Sequence, residues 1–229
     1  MRDRKGIAHV IPDGFDAYVR VHHPLRDGRR WADAAPSYLR RMTARYEYPF
    51  PTEVALVQGD MGTAAVDGLV AILQRHTTTA ERCHFGLWNG WGDLHPGSNT
   101  SVYVRETTSR LRRSWRQMQA RRLQSAEVGK AGGVYSFVDA CPVEPWWGAR
   151  NMLLFDGPIG AVASIGSVSL VSDDLHRRGP QWWWPADRAW FVATEIDFPW
   201  SYIGGSKESV AEVRDSDLET VDVGVQDDW

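Results

Sequence analysis

The sequence has little of what usually announces a chemistry. It holds two cysteines, Cys83 and Cys141, and no Cys-x2-Cys pair. Cysteine therefore offers neither a zinc framework nor a disulfide scaffold, and both thiols are expected to be free. No apolar run approaches the roughly 18–20 residues that cross a bilayer, so no membrane helix is expected. The opening stretch MRDRKGIAHVIPDG lacks the apolar segment of a secretory leader, which makes the cytoplasm the expected location. Positive charge is not in excess, because 26 Lys and Arg stand against 29 Asp and Glu. The net charge of −3 argues against global attraction to nucleic acid or to anionic membrane. There is no Gly-x-Ser-x-Gly elbow, no phosphate-binding glycine loop and no His-x3-His pair. Nucleophilic, nucleotide and helical metal chemistry thus have no motif behind them. On these grounds neither a cofactor nor a metal is expected.

What is present is an ordinary globular composition with one unusual number. At 229 residues and 43% hydrophobic content, the chain is long enough to bury a core without staples. It carries twelve Trp, against seven Tyr and seven Phe. Five of the twelve fall in the nineteen residues from Trp182 to Trp200.

Periodicity gives the elements. Phe15 to Val21 alternates, with Phe15, Ala17, Val19 and Val21 on an apolar face and Asp16, Tyr18, Arg20 and His22 on a polar one. Residues 82–88, 134–139, 150–155 and 189–197 read as further strands. In the last of these, Trp190, Val192, Thr194, Ile196 and Phe198 form the core face. Residues 101–104 and 219–225 suggest two short strands. Helices are expected over 36–46, over 62–76 with Val66, Leu69, Val70, Leu73 and His76 on one side, and over 206–214, where Ser206 caps and Val210 and Val213 point inward. Residues 105–123 hold seven Arg and one acid, with Leu111, Trp115 and Met118 on one stripe, which is a basic amphipathic helix. Strands in runs with unevenly placed helices favour an α+β fold. The expected architecture is a single domain over 1–229, a mostly antiparallel sheet covered by a few helices, with a basic helical insertion at 105–130.

Three candidate sites follow. Trp182, Trp183 and Trp184 precede a proline and cannot all point inward. With Trp88, Trp91, Trp146 and Trp147, and with Tyr202 beyond, they suggest an aromatic-lined pocket or contact surface. Glu195 and Asp197, two residues apart on a strand, would lie roughly 6.5–7 Å apart on one side. That is near the low end of the spacing used by inverting glycosidases. The plainer alternative is that both acids are solvated or pair with Arg188 or another arginine. Arg110, Arg112, Arg113, Arg116 and Arg121 could face phosphate backbones. The acidic C-terminal stretch offers them an intramolecular partner instead, with eight acids against two bases after Gly205. A meeting of His22 with His84 across a sheet, near Asp13 or Asp16, is a weaker constellation.

Three blocks also carry a resemblance. GFDAYVRVHHP, HTTTAERCHFGLWNGWG and WWWPADRAWFVATEIDFPWSYIGG resemble a group of uncharacterised actinobacterial proteins with GF-AYxRxxHP, HTxT…C-F-LW-GWG and WWPxDRAWxVATExD…TYVGG segments. The resemblance implies a shared fold and carries no assigned activity. This chain departs from the group around 103–130, and has Ser201-Tyr202-Ile203 where Thr-Tyr-Val is expected. The favoured reading is a non-catalytic binding or interaction module with a Trp-lined surface, taking a protein partner or a small aromatic or sugar-like ligand. The alternatives are a hydrolase using Glu195 and Asp197 on a sugar-like substrate, and nucleic-acid binding through the Arg-rich helix.

Overall fold

A computed structural model describes residues 6–34, 56–91, 100–103, 141–146, 150–169 and 177–227. The strands, in chain order, are β1 (Ala17–His22), β2 (Cys83–Trp88), β3 (Thr100–Tyr103), β4 (Val143–Trp146), β5 (Arg150–Gly157), β6 (Gly166–Ser169), β7 (Arg177–Arg178), β8 (Trp182–Pro185), β9 (Trp190–Thr194), β10 (Trp200–Gly205) and β11 (Thr220–Val223). The helices are α1 (Trp31–Ala34), α2 (Gly62–Leu73) and α3 (Lys207–Arg214). Among the described residues, eight strands form the main sheet in the order β11-β1-β10-β9-β8-β2-β5-β4, and β3-β6-β7 form a second, three-stranded sheet. Every described pairing is antiparallel. The fold is α+β, dominated by sheet. No helix among the described residues is long and apolar enough to cross a membrane. The expected helix at 36–46, the strand at 134–139, the basic insertion at 105–130 and Trp147 lie outside the described residues.

Each face of the main sheet is buried by different material. Directly opposed residues in an antiparallel pair share a face. Val19 opposes Ile203, and Ile203 opposes Val192. These residues pack with Trp183, Phe85 and Leu153 under α2 and α3 to make the larger core. On the other face Arg20 opposes Tyr202 and His22 opposes Trp200. There Ile7, Val10 and Ile11 fold back over Tyr18, Trp200 and Tyr202 as a second core. The face of β1 read as polar is therefore buried, with Arg20 5% and His22 3% exposed. The segment before it supplies part of the cover, and the Trp31 ring, 4.7 Å from that of His22, supplies the rest. The Tyr18 hydroxyl accepts from Phe15 N–H at 3.0 Å and donates to the Pro12 carbonyl at 3.2 Å, clamping residues 12–15 over the strand. The Arg20 guanidinium lies 4.7 Å from the centre of the Trp200 ring, a position that shields a buried cation with π density.

Helix α2 ends at Leu73 and continues as a 3-10 turn over Gln74–His76. It buries Ala65, Val66, Leu69, Ile72 and Leu73; Val70 and His76 fall at its margin. His76 Nε2 lies 2.6 Å from a Glu212 carboxylate oxygen, and Arg75 bonds the other oxygen, tying this turn to α3. Helix α3 matches expectation: Ser206 Oγ accepts from Ser209 N–H, and Val210 and Val213 are buried.

The expected strand over 189–197 is shorter and is followed by another. β9 stops at Thr194, and residues 195–198 turn, closed by Phe198 N–H to the Glu195 carbonyl at 3.1 Å. Trp200–Gly205 then returns as β10, buried throughout. Trp182–Pro185 is itself a strand, alternating half-buried and buried residues. A strand packed on both faces shows no apolar-polar alternation, which is why these two were not legible as strands.

Candidate functional site

The three sequence blocks meet in the middle of the main sheet. β1 carries the first, β2 the second, and β8, β9 and β10 the third, which makes the run β1-β10-β9-β8-β2. Asp187, in the turn after β8, locks two of the blocks together. Its carboxylate accepts from Thr78 N–H at 2.8 Å, from the Thr77 and Thr78 hydroxyls, and from Ala189 N–H at 3.2 Å. Desolvation opposes its ionisation, but these donors outweigh it and hold the carboxyl below its ordinary range. The next residue, Arg188, takes a left-handed backbone conformation with φ 55°, and its N–H bonds the Pro185 carbonyl at 2.9 Å.

The alternation of β8 decides which tryptophans reach the surface. Trp183 points into the larger core and is 1% exposed. Trp182 and Trp184 point to the opposite face and are half-buried. There Trp184 stacks on Phe191 at 5.2 Å and 14°, and the His84 ring lies 5.2 Å from it. Trp182 meets Phe191 edge to face at 6.1 Å. Between this aromatic row and the folded-back segment 8–15 lies a cavity of about 710 Å³. Trp182, Trp184, Phe191, Leu154, Ile11 and Phe15 supply its apolar walls. His9, Asp13, Glu144 and Arg188 supply the ionisable groups. The volume falls within the range of small-molecule sites. Sequence reasoning singled out Trp182 and Trp184 but missed Phe191, Leu154 and the segment that roofs them. The turn signal at Pro12-Asp13-Gly14 was visible; its folding back over the sheet was not.

The other aromatic candidates divide. Trp88 and Trp91 are half-buried and meet edge to face at 5.0 Å. Trp146 sits on the edge strand β4. Tyr202 is fully buried, and its hydroxyl accepts from Trp200 Nε1–H at 2.9 Å, so it is a core residue rather than a surface contact. Burial pushes its pKa up to about 12. Arg110, Arg112, Arg113, Arg116 and Arg121 lie outside the described residues.

Glu195 and Asp197 do not form the same-face strand pair that their spacing suggested, because both fall in the turn after β9. Arg150, at the start of β5, holds the two: one guanidinium nitrogen bonds Glu195 Oε1 and the other lies 3.1 Å from Asp197 Oδ2. The Arg150 guanidinium is also 5.6 Å from the Trp88 ring centre. Glu195 is 1% exposed, and Asp197 is exposed. Burial pushes the Glu195 carboxyl up, against the pull of Arg150. Neither acid lines the cavity. This is the ion-pair alternative, with a partner 45 residues away in sequence.

A serine–histidine pair is present but sealed. His23 Nδ1 lies 2.9 Å from the Val57 carbonyl, which can only accept, so the proton sits on Nδ1. Nε2 then accepts from Ser201 Oγ at 2.9 Å, and Ser201 accepts from Thr194 Oγ1 at 2.6 Å. His23 and Ser201 are both fully buried. The pair pins β10 to residue 57, and a substrate could not reach it. His22 and His84 do not meet, since β10, β9 and β8 separate their strands. No group of three or more metal-ligating side chains occurs among the described residues. Cys83 and Cys141 are both free thiols, and burial pushes that of Cys83 up to about 12, which makes it a packing residue.

The chain matches no family model, no curated protein and no solved structure.

Proposed function

We propose that this chain is a non-catalytic binding module whose site is the cavity between residues 8–15 and the aromatic row of β8 and β9. The observation that carries the reading is the cavity itself: about 710 Å³, walled by Trp182, Trp184 and Phe191, with a few ionisable groups at its margin. Apolar walls with a few convergent polar groups are the usual make-up of a small-molecule site. Indole and phenyl rings offer large apolar area to a flat or sugar-like ligand. The hydrolase alternative loses ground because its two carboxylates share one guanidinium away from the cavity.

The test is a screen of thermal stability against flat aromatic and sugar-like compounds, with tryptophan emission as a second readout. A ligand that binds the folded state raises the melting temperature by mass action. Binders should shift emission in the parent protein and lose most of their affinity in Trp184→Ala. Binding that survives both Trp184→Ala and Trp182→Ala would place the site elsewhere and end this reading.

A further inference from the structure

The cavity carries a charge pattern that narrows its ligand. Of its four ionisable lining residues, His9 and Asp13 have contacts of their own. The side chains of Arg188 and Glu144 are exposed and find no partner among the described residues. They stand at opposite ends. Arg188 follows Pro185, which opposes Cys83 at one end of β2. Glu144 opposes Met152, which opposes Trp88 at the other end of β2. The order β8-β2-β5-β4 adds three strand spacings across the sheet. Strand geometry then puts the two Cα positions roughly 20 Å apart.

The ground between them is largely apolar. Leu154 and the rings of Trp184 and Trp182 lie along it. Gly86 needs its missing side chain there, because a Cβ would come within 3.1 Å of Trp182 Cε3 and 3.5 Å of Met152 Cε. Against such walls charge interactions are stronger than in open water. A ligand of one sign meets one attraction and one repulsion. A ligand with opposite charges at its two ends, laid in one direction, meets two attractions. The Arg188 guanidinium matches a carboxylate in a two-pronged bond. Its backbone is held in place by the Pro185 carbonyl and by the anchored Asp187 beside it.

We propose that the cavity takes an elongated zwitterion, a short peptide with free termini, its carboxylate at Arg188 and its ammonium at Glu144. At about 3.3 Å per extended residue, and with two long side chains reaching inward, a peptide of roughly three to five residues spans the gap. A free amino acid is too short to engage both ends. This inference rests on the binding-module reading above.

Calorimetry on the full chain tests it with the tetrapeptide Ala-Phe-Leu-Ala in four forms: free, N-acetylated, C-amidated and blocked at both ends. The free form should bind, and each block should weaken it about tenfold, the size of one charge-assisted bond. Arg188→Asn keeps a residue that tolerates the left-handed backbone, and should weaken the free form while leaving the C-amidated form unchanged. Glu144→Gln should do the same for the free and N-acetylated forms. If the doubly blocked peptide binds as well as the free one, the cavity reading stands and the charge assignment is overturned. If no peptide binds while a neutral aromatic compound does so in a Trp184-dependent way, the zwitterion is again overturned. If neither peptide nor aromatic compound binds, the underlying binding reading fails with it.

Discussion

Arg150 closes over Glu195, and the pair is almost wholly buried at the carboxylate end. Removing one partner of a buried ion pair leaves an uncompensated charge, at a cost of about 3–5 kcal/mol. Arg150→Met should therefore destabilise the protein by about 3 kcal/mol in urea unfolding. The double variant Arg150→Met with Glu195→Gln should regain more than half of that, because no charge is then stranded. A single-variant loss below about 0.5 kcal/mol would show the pair to be solvated in solution.

His23 predicts acid sensitivity. Its ring is fully buried, and desolvation lowers its pKa to about 4, against 6.5 in the ordinary range; the Val57 hydrogen bond opposes this only in part. The native state binds the proton more weakly than the unfolded chain does. The stability from neutral His23 is thus complete above pH 6.5 and is lost as pH falls from 6.5 toward 4, by about 3 kcal/mol in all. Burial, Arg20 and His23 lower His22 too, which acts in the same direction. Urea midpoints at pH 7.5 and pH 5 should differ clearly, and His23→Asn should flatten the dependence. Equal midpoints in the parent protein would contradict this account.

Much of the sheet was legible because it rests on local periodicity. The alternation of Phe15–Val21 located β1 within about two residues, and that of 189–197 found β9, which ends three residues earlier at Thr194. The Ser206 cap and the inward valines located α3. What could not be read were contacts set by distant chain. Nothing near Glu195 pointed to Arg150. Nothing near Tyr202 showed that residues 7–11 would cover its face. Trp182–Trp184 showed that aromatic groups must reach the surface there, and the alternation of β8 decides which two. Phe191 sits in the expected strand on its mixed face. Recognising it as the partner of Trp184 required knowing that β8 pairs with β9.

Gly204 opposes Tyr18, and a Cβ at this position would lie 2.6 Å from Phe15 Cδ2 and 2.9 Å from Tyr18 Cε1. Phe15 also lines the cavity, so Gly204→Ala must displace a cavity wall. Overpacking of this kind costs about 1–3 kcal/mol. Gly68 gives the contrast: it lies inside α2, and a Cβ there meets nothing within 4 Å. Gly68→Ala should stabilise by about 0.5–1 kcal/mol through helix propensity alone. Thermal unfolding of the two variants should move in opposite directions. A shared direction would mean that the Phe15 contact or the α2 boundary is wrong.

Asp187 is the last test, because it joins the second and third sequence blocks without belonging to the core. Asp187→Asn preserves shape and one acceptor, but removes the charge that orders Thr77, Thr78 and Ala189 around it. Asp187→Ala removes every acceptor. Hydrogen bonds to a charged group are worth more than neutral ones, although exposure to water discounts them here. The alanine variant should lose about 2 kcal/mol and the asparagine variant about half as much. The folded carboxyl titrates below its ordinary range, so this stability is present above the unfolded-chain pKa and fades as pH falls through the folded one. The effect should reach beyond stability. Arg188 follows in the chain and holds its left-handed conformation next to this anchor. Amide exchange at residues 186–189 should therefore quicken in Asp187→Ala while exchange in β10 stays unchanged. Equal protection across the turn in the variant would show that Pro185 and the strand pairing hold Arg188 in place without Asp187.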